Sequence, residues 1–526
     1  MNRDFQLSGR SPVIAINGMA ATSHPLATLA AVDILRDGGT AADAAVAAVA
    51  ALCVVEPANT GIGGDCYTLI SKPGKPVWGY NGSGRSGANA SYQPLRDQGV
   101  REIGDSVHSV TVPGAIDAWE QTLKAHGRFG FDRVLRAAIQ YAESGFPVAQ
   151  RVALDWQRHV GKLAACRGAA KHYLFNGMAP KEGDVIRFPA LAETLKTIAL
   201  KGAKGFYEGA VGAEMAATVA ARGSFLKDED FANHRGNTVV PISTEYRGVD
   251  LIEIPPNGQG LTALVMLNIL ENFDLKSLDP MGPERFHLVL EAARIGYAVR
   301  DTHLSDADHM RTPVAALTDK AWGKKLASLI DMNKRSELPA ALTPGSNTVY
   351  ISVVDRDRNA VSLINSLYSG FGAGICTERS GVLLTNRGAC FTLAPDHPNT
   401  FGPAKRPMHT IIPALAMKNG RCEMSFGVMG GHYQPMGHVQ ILLNMLEYGM
   451  DVQQAIDCPR LFWENDRVAV ETSIPQRTMD GLRARGHNIV LRDLPWGGAQ
   501  TVKIDWDRGV LIGGSEPRND GCALGY

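Results

Sequence analysis

The chain has 526 residues, of which 45% are hydrophobic and 20% charged, so it is neither a disordered protein nor a small disulfide-stapled one. Lys plus Arg and Asp plus Glu total 53 each, and this zero formal net charge argues against a nucleic-acid partner. The length allows about three or four domains, or one large α/β unit.

The N-terminus lacks the apolar core and cleavage site of a secretion signal, and the most apolar stretch, residues 44–55, is too short to span a membrane. We therefore expect a cytoplasmic protein with no membrane partner. Eight scattered cysteines without a C-x-x-C pair then predict reduced, mostly buried thiols. The histidines show no metal-ligand spacing, and Walker A, HExxH and G-x-S-x-G motifs do not occur, so we expect no metal and no cofactor.

The first hundred residues alternate helix and strand signals. Periodicity predicts a helix over residues 25–36. Thr40 and Asp43 form a capping box that predicts a second, alanine-rich helix, which ends at Pro57. The glycine loop at residues 61–64 follows a helix and precedes a strand, which reverses the order of a dinucleotide-binding loop, so turn glycines are the better interpretation.

The middle of the chain is mainly helical. Helical patterns fill residues 110–240, a Pro/Gly turn feeds a helix within 254–274, and residues 283–301 predict a long amphipathic helix. Residues 331–347 are polar and aperiodic and contain two prolines, which predicts an exposed linker. Strand patterns dominate after it.

A predicted β-hairpin follows this linker directly. Its strands are residues 348–354 and 360–367. If Val354 lies opposite Ala360, Thr348 lies opposite Ser366 with both side chains on one face. The simpler interpretation is an ordinary cross-strand hydroxyl pair, and a catalytic one requires Thr348 to become a chain terminus.

An N-terminal threonine carries its own catalytic chemistry. The hydroxyl of Thr348 could attack the carbonyl of Asn347, and hydrolysis of the resulting ester would cut the chain between them. The new terminus then supplies both a nucleophilic Oγ and a base, its α-amine, whose ordinary pKa is about 7.7–8. No separate histidine base is needed, which agrees with the lack of a Ser-His-Asp signature.

A series of motifs runs in order through nearly the whole chain. They are GMAATSHPLATLAAVDILRDGGTAADAAVAAVAAL with EPANTGIGGD, VTVPGAIDAW, IPPNGQGLTALVMLNILENFD, NTVYISVVDRDRNAVS with FGAGI, RP…IIPAL, GVMGG and EPRNDGCALGY. In this order they resemble the γ-glutamyltranspeptidase family. The resemblance implies an αββα four-layer sandwich, the N-terminal-nucleophile hydrolase fold, made as one precursor. It also implies a cut before Thr348 into a large subunit, 1–347, and a small subunit, 348–526, which pair as a heterodimer or as a dimer of heterodimers.

The resemblance also assigns catalytic roles. Thr348 matches the nucleophile, and Ser366 matches a hydroxyl that hydrogen-bonds to it. Gly430 and Gly431, in GVMGG, match the glycines whose backbone amides form the oxyanion hole. A simple turn is the alternative interpretation of the two glycines.

The substrate-binding positions depart from the family pattern. Tyr368 stands where the family has Asn, Cys390 where it has the Asp that pairs with the substrate ammonium, and His409-Thr410 where it has Ser-Ser. The carboxylate-binding Arg has no direct match. Arg85, in YNGSGRSG, lies about two positions later and is our candidate, with a solvated loop arginine as the alternative.

These changes predict an altered substrate. Without the ammonium partner γ-glutamyl compounds should bind poorly, and bulky or basic residues should narrow the pocket around a small amide that carries a carboxylate. The candidate pocket residues are Arg85, Tyr368, Arg387, His409, Thr410 and His432. His409 and His432 could instead be structural histidines, and Cys390 a buried hydrophobe without a chemical role.

Within the family, the expected reaction is the hydrolysis of oxamate to oxalate and ammonia, as in bacterial purine-nitrogen catabolism. The alternatives are a γ-glutamyl hydrolase or transferase, an acylase, and an uncut, catalytically silent binding protein.

Overall fold

A computed structural model describes residues 9–337, 347–464 and 466–526. The strands, in chain order, are β1 Val13–Ala15, β2 Met19–Thr22, β3 Asp65–Ser71, β4 Trp78–Gly82, β5 Phe146–Pro147, β6 Val185–Ile186, β7 Asn237–Val239, β8 Ile242–Tyr246, β9 Val249–Glu253, β10 Asn347–Val354, β11 Ala360–Tyr368, β12 Ala414–Lys418, β13 Arg421–Met429, β14 Leu461–Glu464, β15 Arg467–Val470, β16 Ile489–Leu491, β17 Gly498–Asp505, β18 Val510–Ser515 and β19 Cys522–Gly525.

The helices lie between these strands, several of them in consecutive runs. They are α1 Pro25–Arg36, α2 Ala41–Val55, α3 Gln93–Asp97, α4 Ala115–His126, α5 Phe131–Val134, α6 Arg136–Ser144, α7 Gln150–Gln157, α8 Val160–Ala164, α9 Arg167–Tyr173, α10 Pro189–Lys201, α11 Lys204–Tyr207, α12 Ala210–Ala220, α13 Asp228–Ala232, α14 Gly260–Leu270, α15 Pro283–His303, α16 Val314–Leu317, α17 Lys320–Ala327, α18 Gln434–Leu446, α19 Val452–Asp457 and α20 Gln476–Ala484. Short 3₁₀ turns include Arg387–Cys390 and Gly431–Tyr433.

Two seven-stranded sheets lie face to face in the middle of the molecule. One has the order β1-β18-β17-β13-β12-β9-β8, and the other β19-β2-β10-β11-β3-β4-β7. An apolar layer that includes Tyr67, Ile254, Tyr350 and Leu415 fills the space between them. Helices α1, α2 and α4 cover the outer face of the second sheet, and α14, α18 and α19 that of the first. The predicted αββα four-layer sandwich is confirmed.

The first two helices form where the sequence predicts them. The Thr40 hydroxyl accepts a hydrogen bond from the Asp43 N–H at 3.2 Å, and the Asp43 carboxylate accepts one from the Thr40 N–H at 2.8 Å. Every residue of α2 is buried, because this helix packs against α1 and α6 as well as the second sheet. Its small alanine side chains allow this close packing on all sides.

Helix α15 differs from its prediction. Its bounds agree closely, but residues 285–297 are buried all round rather than on one face. The helix lies against α14 and α20, so charged side chains are enclosed with it, and Arg294 Nε lies 3.6 Å from a Glu291 oxygen. The charged residues in the sequence of α15 predicted a solvent-exposed face, but neighbouring elements of the fold cover that face.

The predicted linker is only partly described, since residues 338–346 lie outside the described residues. Its first part is anchored. The Ser336 N–H donates to Glu291 at 2.8 Å, and the Ser336 carbonyl accepts from Arg294 at 3.1 Å. The chain thus approaches the predicted cleavage segment from a fixed point on α15.

All eight cysteines are free thiols, five buried and three partly exposed, as expected for a reduced protein. None of the helices in the described part of the chain is long and apolar enough to cross a membrane.

Candidate active site

Thr348 and Ser366 meet at the open end of the β10–β11 hairpin. The strands pair from Val354–Ala360 to Val349–Asn365 in the predicted register, with an irregularity beyond Val349. The Thr348 and Ser366 hydroxyl oxygens are 3.2 Å apart, and both side chains are buried. The Tyr368 N–H donates to Ser366 Oγ at 2.8 Å, which fixes this hydroxyl beside Thr348. The predicted pairing is confirmed as geometry, whereas its catalytic role stays a prediction.

The two glycines lie at the same end of the molecule, across the sheet interface. Ser352 of β10 donates to the Ser425 carbonyl of β13 at 3.0 Å, and the Tyr350 ring covers Gly427. The two strands therefore run in opposite directions across the interface. Residues nearer the start of β10 lie over residues nearer the end of β13. This alignment brings Thr348 to the end of β13, where Gly430 and Gly431 follow.

The conformation of Gly430 and Gly431 requires glycine. Their φ angles are +124° and +59°, in the region that other residues rarely adopt. Within the described residues, neither backbone N–H donates a hydrogen bond. An oxyanion hole needs two such unused N–H groups near the attacking atom.

Gln259 holds this glycine turn from behind, and the sequence analysis missed it. Its fully buried amide nitrogen donates to the carbonyls of Thr410 at 2.7 Å and Gly431 at 3.0 Å. Its amide oxygen accepts from Arg300 at 2.8 Å. A glutamine inside the glycine turn of IPPNGQGL was the available signal, because a polar side chain at a buried turn has to find partners.

Arg387 is a buried cation with unused donors. Its side chain is fully buried, Nη1 donates to Thr410 Oγ1 at 2.6 Å, and the guanidinium lies 4.5 Å above the Tyr368 ring. Nε is 3.9 Å from an oxygen of Asp65, and neither Nε nor Nη2 has a hydrogen-bond partner among the described residues. A buried guanidinium with a free donor edge is suited to a carboxylate.

The two pocket histidines are neutral, which corrects the expectation of basic side chains there. Burial and the nearby Arg387 lower the pKa of His409 to about 3. Burial, with Arg300 beside it, lowers the pKa of His432 well below its ordinary value. His409 Nε2 lies 3.0 Å from Asp65 and its Nδ1 accepts from the Ile411 N–H, so the proton is on Nε2. The two histidines therefore contribute bulk and hydrogen bonds to the pocket, and its positive charge comes from arginines.

A cavity of about 550 Å³ opens next to these groups. Tyr368, Cys390, His432, Arg300 and Met408 are among the side chains that line it. The Tyr368 ring separates this cavity from Arg387, which stacks on that ring and is not among the described lining residues.

Arg85 lies elsewhere, which corrects the choice of Arg85 as carboxylate clamp. Its Nη1 donates to Asp306 at 3.0 Å and to the Ala404 carbonyl at 3.1 Å, and its side chain is 35% exposed. It lines other cavities, and it is not among the described residues around the 550 Å³ cavity. The backbone N–H of the preceding Gly84 donates to Asp65 at 2.9 Å, whereas the Arg85 side chain pairs with Asp306.

One cluster could in principle hold a metal. Ligand atoms of His287, Glu291 and His487 lie within 4.8 Å of one another, a grouping that sequence spacing did not show. The two histidine nitrogens are 2.8 Å apart, as in a hydrogen bond. Burial, His287 and three nearby arginines lower the pKa of His487 to about 3, and the same positive surroundings oppose a bound cation.

Comparison with known proteins identifies the family. A family model described as Gamma-glutamyltranspeptidase matches residues 27–526. The chain belongs to the γ-glutamyltranspeptidase family. Members are proenzymes processed into two subunits, and this chain is such a precursor and a hydrolase of amide bonds.

Individual relatives cover the chain end to end. It is 38% identical to the "Glutathione hydrolase-like YwrD proenzyme" of Bacillus subtilis over 524 residues, 98% of this chain and 99% of the relative. It is 33% identical to the "Oxamate amidohydrolase proenzyme" of Klebsiella pneumoniae over 528 residues, again 98% and 99%. The crystal structure of a cephalosporin acylase from Bacillus halodurans superposes with a TM-score of 0.93 at 36% identity, covering 100% and 99% of the two chains.

The main departure from the family pattern is visible at Cys390. Its thiol lies beside the Tyr368 hydroxyl and lines the cavity, and it is partly exposed rather than buried as expected. Burial and the neighbouring Cys390 raise the pKa of Tyr368. A thiol therefore occupies the place where the resemblance implies an ammonium-binding carboxylate, with a phenol beside it.

Proposed function

We propose that the chain cuts itself between Asn347 and Thr348, giving subunits 1–347 and 348–526 that stay together as one αββα unit. In the second sheet, β10 and β11 of the small subunit pair with β2 and β3 of the large one. Cleavage after Asn347, the first residue of β10, would leave these pairings intact, since β10 pairs with β2 at Ser352–Val354. It would also free the α-amine of Thr348 next to its own hydroxyl.

The proposed mechanism follows from the geometry. The α-amine of Thr348 takes the hydroxyl proton while Oγ attacks the substrate amide carbon. The N–H groups of Gly430 and Gly431 stabilise the oxyanion, and Ser366 Oγ orients the nucleophile. The C–N bond then breaks, the leaving amine takes the proton, and water hydrolyses the threonyl ester to release the acid.

We propose that the substrate is a small amide with a carboxylate, and no ammonium group, on its acyl side. The unpaired, fully buried donor edge of Arg387 carries this proposal. An anion there would satisfy donors that have no partner within the described part of the chain, a gain of about 1.5–3 kcal/mol for a charged hydrogen bond. Neither Cys390 nor Tyr368 is a carboxylate that could pair with a glutamyl ammonium.

Oxamate is the smallest amide of this class, and its hydrolysis gives oxalate and ammonia. Its carboxylate adjoins the scissile carbonyl, so the site must stabilise two neighbouring negative charges in the transition state. Gly430 and Gly431 would serve the oxyanion, and Arg387 the carboxylate. The similarity to an oxamate amidohydrolase proenzyme supports this choice.

A second candidate is an acylase for longer dicarboxylic monoamides, such as glutaryl amides. The cavity of about 550 Å³ has room for a longer acyl chain, and the similar fold of a cephalosporin acylase supports it. A γ-glutamyl substrate is disfavoured by the lack of an ammonium partner at Cys390.

Comparing kcat/KM on the matured protein separates these substrates. Oxamate, a glutaryl amide and glutathione would be assayed for released ammonia or amine, with the uncut Thr348→Ala protein as blank. We expect oxamate to be fastest and glutathione slowest. The highest kcat/KM with a glutaryl amide would favour the acylase. The highest kcat/KM with glutathione would favour a γ-glutamyl hydrolase.

A further inference from the structure

A cavity of about 720 Å³ has no role in the mechanism proposed above. It lies beside β7, the turn before α14 and the segment between α15 and α16, and four arginines contribute to its lining: Arg85, Arg235, Arg311 and Arg406. We name it the four-arginine cavity. It shares no described lining residue with the 550 Å³ cavity, so it is separate from the place where the substrate is expected to bind.

Arg406 places a buried positive charge on the wall of this cavity. The residue is 4% exposed, and it donates from Nε to the Ser83 carbonyl at 3.1 Å and from Nη1 to the Asn237 side chain at 2.7 Å. These partners are neutral, and no carboxylate in the described part of the chain forms an ion pair with the guanidinium. Burial lowers the pKa of Arg406, and the nearby Arg85 adds to this effect. An anion in the cavity would therefore stabilise the buried charge.

The described lining of the cavity carries more positive than negative charge. Arg85 and Asp306 pair at 3.0 Å, which leaves three arginines and one lining carboxylate, Asp308. One of the three, Arg235, also lies 3.7 Å from Glu208, which is outside the lining. Even with that contact counted as a pair, one positive charge remains in excess, and it favours the entry of an anion.

Two of the arginines have N–H donors to spare. Arg311 is exposed, and no described residue forms a hydrogen bond or an ion pair with its side chain. Arg406 has five N–H donors, and the described hydrogen bonds occupy three of them. A guanidinium with free donors binds a carboxylate or a phosphate with charge-assisted hydrogen bonds, so these two side chains could hold the same anionic group.

Apolar side chains form another part of the same lining. They include Val239, Val240, Pro255, Met310 and Pro313, and Val240 is 85% exposed. A ligand that covered these side chains would gain about 25 cal/mol for each Å² of apolar surface removed from water. The volume of about 720 Å³ is also within the range of about 300–1,000 Å³ for small-molecule sites. The lining therefore suits a ligand with an apolar body as well as an anionic group.

We propose that the four-arginine cavity binds an organic anion, with an apolar ring or chain against the valine and proline side chains and a carboxylate or phosphate group on Arg406 and Arg311. The ligand is a second small molecule and not the substrate, because the two cavities have no described lining residue in common. The proposal is independent of which amide the enzyme hydrolyses.

Calorimetric titration of the matured protein tests the charge requirement. The probes are 2-naphthoate, 2-naphthyl phosphate and the neutral 2-naphthamide. We expect at least one of the two anions to bind at least about tenfold tighter than the amide, and the tighter anion identifies the head group. This preference should fall to less than about threefold in Arg311→Gln and in Arg406→Gln. Arg311 is exposed, so its variant should fold normally, and thermal melting checks the buried Arg406 variant. Equal binding of all three probes would overturn the proposal.

A variant at the catalytic cavity separates the two sites. Arg387→Gln removes the cation of the candidate active site and should leave the preference for the naphthyl anion unchanged. If the preference disappears in Arg387→Gln and persists in the Arg311 and Arg406 variants, the anion binds at the active site and the proposal is wrong.

A carboxylate added at the rim provides a test without removing an arginine. Val240→Asp should raise the Kd of the bound anion at least about fivefold by charge repulsion, with little effect on the amide. Leu200→Asp is the matched control, because Leu200 is 82% exposed on α10 and lies outside the described lining of the cavity. It should leave the Kd unchanged. An unchanged Kd in Val240→Asp would contradict binding in the four-arginine cavity.

Discussion

The nucleophile side of the candidate site is built from neighbouring strands, whereas its acyl-binding side is gathered from distant segments. Thr348 and Ser366 face each other across one hairpin. Asp65, Arg387 and His409 come from a strand, a 3₁₀ turn and a loop, and they meet only in the folded core. Strand register therefore determines the first group, and long-range packing determines the second.

The two sides also differ in how completely their polar groups are satisfied. On the nucleophile side, Ser366 Oγ is fixed by the Tyr368 N–H and contacts Thr348. On the acyl side, Arg387 shares Asp65 with His409 and retains donors that no other described residue satisfies. A hydroxyl pair needs a chain terminus to become reactive, whereas an unsatisfied guanidinium is already prepared for an anion.

Removing the nucleophile should have the largest effect. Thr348→Ala should leave a single uncut band on a denaturing gel and lower amide hydrolysis by about 10⁴-fold or more, because one hydroxyl serves both reactions. Thr348→Ser keeps the hydroxyl and should still cut. In the wild type, Edman sequencing of the 179-residue product should begin Thr-Val-Tyr-Ile. Efficient cutting of Thr348→Ala would place the nucleophile elsewhere.

A pair of arginine variants tests the acyl side directly. Arg387→Gln should lower kcat/KM for an anionic amide by about 10–150-fold, the value of a charged hydrogen bond. Arg387→Lys should also be impaired, because lysine cannot reproduce the planar donor edge. Arg85→Gln is the matched control and should change kcat/KM less than about twofold, since Arg85 pairs with Asp306. A larger loss with Arg85→Gln would reverse our assignment, and thermal melting checks that the Arg387 variants fold.

The nucleophile side and the acyl-binding side differ in how much of each could be predicted from the sequence. Alternating hydrophobicity and a five-residue turn were enough to pair Thr348 with Ser366, because register within a hairpin is local. The capping box of α2 was equally local. The position of Arg85 could not be predicted, since the direction of a loop side chain depends on Asp306, more than 200 residues away along the chain. The neutrality of His409 was equally hidden, because burial is a property of the whole fold.

Removing the Ser366 hydroxyl should lower activity less than removing the Thr348 hydroxyl. Ser366→Ala removes the group that orients Thr348 Oγ and should slow turnover by about 10–100-fold. Ser366→Thr retains a hydroxyl at this position and should recover part of that loss. Melting temperatures of both variants should stay near the wild-type value if the role is positional. Full activity and normal maturation in Ser366→Ala would show that the pairing is only structural.

The smallest expected effect concerns the stability of the acyl side in acid. His409 has a pKa of about 3 in the folded chain and an ordinary value of 6.5 when unfolded. Between these values the unfolded state binds a proton that the folded state does not, so His409 lowers the free energy of unfolding as pH falls below 6.5. Between pH 7.5 and pH 5.5, the titration of His409 should lower the free energy of unfolding by about 1.4 kcal/mol. His409→Gln keeps an N–H donor for Asp65 and removes the titration.

Urea unfolding of the uncut Thr348→Ala chain, with and without His409→Gln, measures this share without subunit dissociation. The variant should lose about 1.4 kcal/mol less stability than its parent between the two pH values. His487→Gln is the matched comparison, because burial and its neighbours also lower the pKa of His487 to about 3, outside the candidate site. It should reduce the acid loss by a similar amount while leaving the kinetics of the matured enzyme unchanged. An undiminished loss in the His409 variant would mean that His409 is charged in the folded chain, and the acyl side would then hold two cations instead of the one supplied by Arg387.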